Sequence, residues 1–269
     1  MLATPPGSDA DLTAVRRPDT VAQHQLAVER AIHTMTQDLA SPHSTQSMAA
    51  SVAMSPFYFI KVFKAVTGIS PRLFLAAVRM ERAKRALLAS DASVTDICLD
   101  VGYSSLGTFS RIFHALVGLS PVTFREAVKQ YAPEDLWRDA LEFSRTHRYE
   151  GSDTLEGYVA APENRFNRII FVGAFRKAIP QGPPLAGTVL LGPGPFRIRR
   201  PAQAAFHLLV LQLPMNVPPF DPIRQPEQTR VARTLIAGDA NHVRADLRPV
   251  AISDPPLVIA LPHLLRTSI

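Results

Sequence analysis

The chain has 269 residues, 46% of them hydrophobic, and its 29 lysines and arginines outnumber 23 acidic residues for a formal charge of +6 at pH 7. That length is more than a single core of about 100–200 residues normally uses, so two domains are expected. One cysteine, Cys98, excludes an internal disulfide. No apolar run approaches the roughly 18–20 residues that a membrane span requires, so a cytoplasmic chain without membrane contact is expected.

Residues 1–20 are small, polar and proline-containing, with no apolar h-region, and are expected to be a disordered start and not a signal peptide. A helical pattern follows over 21–39 (Leu26, Ile32, Met35, Leu39) and closes at Ser41-Pro42. Between Ser47 and Phe124 one unit occurs twice. Phe63, Gly68, Ser70, Pro71 and Phe74 reappear 50 residues later as Phe113, Gly118, Ser120, Pro121 and Phe124. Before the turn the offset is 49, which pairs Ala49 with Cys98, Val52 with Val101, Ala53 with Gly102 and Ser55 with Ser104. The second copy therefore has one extra residue just after its turn.

Each copy has the grammar of a helix-turn-helix. A small residue (Ala49, Cys98) sits where one short helix must approach another closely, and a small turn residue follows. A serine is then placed to cap the next helix by accepting a backbone N–H. Pro56 falls where a helix tolerates a missing N–H. Phe59, Val62 and Phe63, and in the second copy Phe109, Ile112 and Phe113, mark the buried face at helical spacing. The opposite face carries Phe57, Ile60, Lys61 and Lys64 in the first copy and Leu106, Gly107, Ser110, Arg111 and His114 in the second. That face is the one able to enter a major groove. From 40 to 131 ten cations stand against five carboxylates, a surplus suited to phosphate attraction.

With Met54-Ser55-Pro56, Lys61-Val62-Phe63-Lys64 and Gly68-Ile69-Ser70-Pro71, matched by Val101-Gly102-Tyr103-Ser104, Phe109-Ser110-Arg111-Ile112-Phe113 and Gly118-Leu119-Ser120-Pro121, the segment resembles the DNA-binding domain of the AraC/XylS family of transcription regulators. Residues 74–88 are similar to that family's linker helix. The resemblance implies an all-α domain of about seven helices whose two heads, joined by one long helix, enter successive major grooves. It also places base reading on Phe57, Ile60 and Lys61, with Phe57 against a thymine methyl and Tyr58 toward a phosphate. In the second head the positions implied are Leu106, Gly107, Thr108 and Arg111, and the Arg111 fork matches guanine O6 and N7.

A short amphipathic connector is expected over 132–150, with Leu136, Trp137, Leu141 and Phe143 on its apolar side. Beyond Gly151 proline becomes dense and short apolar runs alternate with turn residues. Strands are predicted at 154–160, 168–175, 185–191, 196–198, 205–212, 229–237, 243–247 and 257–261, a spacing that argues for an antiparallel β-sandwich. Leu155-Glu156-Gly157-Tyr158-Val159 and Phe206-His207-Leu208-Leu209-Val210 resemble strands of the small transthyretin-like or carboxypeptidase-regulatory-like sandwiches, a resemblance that brings no catalytic residue with it. His207, His242 and His263 are scattered, without metal-ligand spacing, and neither a Gly-x-Ser-x-Gly elbow nor a P-loop is present. Arg197, Arg199 and Arg200 form a basic knot open to DNA phosphate, to an anionic effector or to no ligand.

The expected fold class is multidomain α and β, an all-α double helix-turn-helix domain over 21–131 followed by an antiparallel β-sandwich over 151–269. The expected function is a sequence-specific transcription regulator without enzymatic activity, cofactor or metal. Its expected partner is double-stranded operator DNA, and RNA polymerase is a second partner that this reading allows. The sandwich would sense an effector, dimerise or bind a partner; effector identity and oligomeric state are not set by the sequence. The competing reading is a DNA-tethered module that binds carbohydrate or protein without effector-controlled regulation.

Overall fold

The computed structural model describes residues 18–130, 132–146, 149–162, 168–214, 229–238, 240–260 and 265. The expected disorder at the start falls almost entirely outside them. The chain divides into two compact units: Met1–Leu75 with Ile252–Pro255, and Ala76–Ala251 with Pro256–Ile269.

The first unit holds α1 (Pro18–Gln37), α2 (Thr45–Ala50), α3 (Pro56–Thr67) and the opening of α4 (Pro71–Ala89). The second contains the rest of α4, then α5 (Val94–Asp100), α6 (Leu106–Val117), α7 (Pro121–Gln130) and α8 (Pro133–Thr146). Prolines open α3, α4, α7 and α8, where the missing N–H would have no intrahelical partner. Among the described residues no helix is long and apolar enough to cross a membrane.

Among the described residues eight strands follow: β1 (Thr154–Ala160), β2 (Arg168–Phe175), β3 (Ala186–Leu190), β4 (Gly194–Arg199), β5 (Ala205–Pro214), β6 (Arg230–Ala237), β7 (His242–Asp246) and β8 (Arg248–Pro249). They form two sheets, ordered β4-β1-β7 and β3-β2-β5-β6-β8. Buried side chains of both sheets join in one cluster, including Leu155 and Ile198 from the first and Val172, Leu208, Val210 and Ile236 from the second.

Two expectations are corrected. The strands are not all antiparallel, since β1 pairs with β7 in parallel, Tyr158 opposite Arg244. No strand forms at 257–260, and Leu261 lies outside the described residues. Leu257, Val258, Ile259 and Ala260 are instead buried as an irregular strap. A short apolar run signals burial, whichever backbone conformation delivers it. The other seven predicted strands are present, with ends shifted by up to two residues.

Burial explains the two kinds of strand. β4 alternates buried and open positions because one of its faces meets solvent. β2 and β5 are buried along most of their length on both faces and read as continuous apolar runs. Gly157 lets β1 approach closely: a Cβ there would stand 2.5 Å from the Phe196 ring.

His207 lies half-buried on β5, opposite Phe175 and Leu235. Burial, and then the nearby Arg233 guanidinium, lower its pKa below the ordinary 6.5. The unfolded chain therefore takes up this proton first, and the contribution of His207 to stability falls as pH drops from about 6.5 toward the lower folded value. Urea unfolding at pH values on either side of that window should show a smaller loss of midpoint on acidification in His207→Gln than in the parent chain.

Candidate nucleic-acid interface

The duplication seen in the sequence extends to individual hydrogen bonds. Ser44 Oγ accepts from Ser47 N at 3.0 Å to cap α2, and Ser93 Oγ accepts from Asp96 N at 3.0 Å to cap α5. In the turns, Met54 N donates to Ala49 O and Tyr103 N to Cys98 O, each at 3.0 Å. Both α3 and α6 end on a left-handed glycine: Gly68 N donates to Lys64 O and Gly118 N to His114 O, each at 2.9 Å.

The extra residue of the second copy is placed by the caps. Ser55 Oγ accepts from Tyr58 N at 3.4 Å, and its counterpart is Ser105, which accepts from Thr108 N at 3.3 Å. The expected cap, Ser104, is the inserted residue. The 50-residue offset therefore holds throughout α3 and α6, and it aligns Phe57 with Gly107, Tyr58 with Thr108, Ile60 with Ser110, Lys61 with Arg111 and Lys64 with His114.

Behind α3 and α6 stands the same stack of rings. Phe63 meets Phe59 and Phe74 with centroids 5.5 Å apart; Phe113 meets Phe109 and Phe124 at 5.7 Å. All six rings are buried, as are Ala49 and Cys98 at the helix crossings. Burial also pushes the Cys98 thiol pKa up, as suits an inert core group. Ile112, expected in the core, is only half-buried, and Leu116 and Val117 complete that face.

The outward face carries most of the expected residues. Phe57 is 83% exposed, and Ile60, Lys61, Lys64, Leu106, Gly107, Arg111 and His114 are exposed. Thr108 and Ser110 are half-buried. Tyr58 is anchored from behind, its hydroxyl 2.9 Å from Nε2 of the buried His24 on α1. His24 was not singled out in the sequence, where nothing ties it to a tyrosine 34 positions away.

The basic surface is thinner than the cation count suggested. Lys84 is buried, its ammonium 5.9 Å from the Phe124 ring centroid. Arg79 stacks on Tyr103 at 5.3 Å, Arg85 pairs with Glu81 at 2.7 Å, and Arg125 donates to Ala92 O at 2.6 Å. In the β-rich region Arg200 ties down the turn after β6 by donating to Ala240 O and Asn241 Oδ1, and Arg197 pairs with Glu156 at 3.1 Å. Among the described residues no three His, Cys, Asp or Glu side chains converge as a metal cage.

The profile of a helix-turn-helix domain family matches residues 48–127. The MmsAB operon regulatory protein of Pseudomonas aeruginosa is 34% identical over 96 residues, covering 36% of this chain and 31% of that protein. Residues 48–127 form a helix-turn-helix domain. The transcriptional activator NphR of a Rhodococcus species is 32% identical over 126 residues, 47% of this chain and 34% of NphR. Among solved structures, the DNA-binding domain of AdpA in complex with a target DNA is 26% identical, with a TM-score of 0.38, covering 40% of this chain and 97% of that one. The matched stretch thus spans about a third of the length of these curated relatives.

The turns of this helix-turn-helix domain differ in strain. Gly102 takes a φ of 86°, whereas Ala53, at the equivalent position, is held at 54°. A left-handed residue with a Cβ costs about 1–2 kcal/mol, less the backbone entropy that a glycine loses on folding. Gly102→Ala should therefore lower stability by about 1 kcal/mol, and Ala53→Gly should raise it by about 0.5 kcal/mol, in denaturant titrations of the full chain.

Proposed function

We propose that the chain is a sequence-specific DNA-binding transcription regulator in which α3 and α6 are the reading helices. One observation carries this reading: Lys61 and Arg111 occupy the same exposed position of two helices that share caps, turns and cores. Such a pair is suited to charge-assisted contacts with base edges, while Phe57 and Leu106 offer apolar surface to thymine methyls. Tyr58, held by His24, and Lys64 and His114, one turn further along, are suited to phosphate. The names of the relatives, a regulatory protein and a transcriptional activator, agree with this reading.

The two heads would read successive major grooves. The 19 residues of α4 make it about 28 Å long, against about 34 Å between adjacent major grooves. Residues 21–131 would be the reading domain, and the strands from 151 onward a sandwich that senses, dimerises or binds a partner.

Selection of bound sequences from a random DNA pool by the full chain should return two blocks about one helical turn apart. Arg111→Ala should then cost about 1–3 kcal/mol at one base position of one block. An equal loss on every sequence would assign Arg111 to phosphate, and no enrichment at all would overturn the regulator reading.

A further inference from the structure

The five-stranded sheet has a second face, turned away from the shared core. Ile170, Val172 and Leu208 point into that core. By strand alternation Phe171 and Phe175 on β2, and Leu209 and Leu211 on β5, point the other way. Leu257 and Ile259 of the strap lie against them and close an apolar slot. Its free space is only about 50 Å³, small beside the roughly 150 Å³ of an apolar cavity that takes up benzene.

A wider mouth adjoins the slot, with Phe175 and Pro184 on the wall of both. The mouth has about 480 Å³ and adds Arg176, Lys177 and Gln181 to its wall. Lys177 donates to Gln181 Oε1 at 2.5 Å. Among the described residues neither Arg176 nor Lys177 forms an ion pair. Two cations with no carboxylate among the described residues of that wall, at the rim of a mainly apolar cleft, complement a ligand with one charged end and one greasy end. The acid group stays where water and the arginine fork both reach it, and the apolar end leaves water.

The strap has a second attachment. Ala260 donates its N–H to Val117 O at 2.9 Å. Val117 ends α6, so its carbonyl has no partner inside the helix. A ligand end too large for about 50 Å³ must part the strap from the sheet. The next backbone group along the strap is this cap on the second reading helix.

We propose that the cleft is an effector site for an amphipathic carboxylate, an apolar chain or ring ending in one acid group, and that its apolar end loosens the strap that caps α6. The binding half stands on the cleft alone; the regulatory consequence rests on the DNA-reading role proposed above. Calorimetric titration of the full chain with sodium octanoate should saturate a single site, and octan-1-ol should bind at least about tenfold more weakly, since it lacks the charged contact. The exposed double substitution Arg176→Gln with Lys177→Gln leaves the core untouched and should remove the preference for the acid. Absence of saturable octanoate binding, or equal binding of acid and alcohol by the parent chain, overturns the site.

Amide hydrogen exchange tests the strap without DNA. Saturating octanoate should speed exchange at Ala260 by about tenfold or more, as expected when one backbone hydrogen bond is released. Unchanged exchange alongside octanoate binding overturns the loosening. With an operator in hand, octanoate should alter affinity at the α6 half-site by about fivefold or more. An operator affinity indifferent to bound octanoate overturns the regulatory consequence and leaves the site standing.

Discussion

Helices α3 and α6 each depend on a stack of three buried phenylalanine rings. At 12 residues, α3 and α6 are too short to persist alone in water, so tertiary packing must hold them. Phe59 and Phe63 against Phe74, and Phe109 and Phe113 against Phe124, supply that packing from one side only. The opposite side is thereby released from structural duty and can carry Phe57, Lys61 or Arg111 in the open. The small residues Ala49 and Cys98 serve the same end, because a larger side chain at the crossing would lift the preceding short helix off the core.

The copies have diverged where the fold allows it. Rings, caps and terminal glycines are shared, while the outward faces differ at nearly every position. Phe57 with Ile60 is an apolar face, whereas Gly107 with Ser110 is small and polar. A duplicated scaffold with two unlike faces suits recognition of two unlike half-sites. The single inserted residue, Ser104, is absorbed between turn and cap, where no helical hydrogen bond has yet formed.

The β-rich region solves a different problem. Its five-stranded sheet has two apolar faces and needs a cover on each. The three-stranded sheet covers one through the shared cluster, and the strap from Leu257 to Ala260 lies on the other. A strap without ladder hydrogen bonds is held by side-chain burial and by isolated backbone bonds such as that from Ala260 to Val117. Such a segment is easier to displace than a strand, which is what a site beneath it would require.

The sequence by itself determined the double helix-turn-helix, because every device that builds it is local. Caps, turn residues and terminal glycines act within a few positions of themselves, and the 3.6-residue period separates Phe59 and Phe63 from Phe57 and Lys61. Strand positions were legible for the same reason, as runs bounded by turn residues. Partnership was not. The parallel match of β1 with β7, the strap in place of an eighth long strand, the hold of His24 on Tyr58, and the withdrawal of Lys84 from the basic surface all join residues far apart in the chain. No local pattern encodes such pairings, since they follow from which buried surfaces are left uncovered once the local elements have formed.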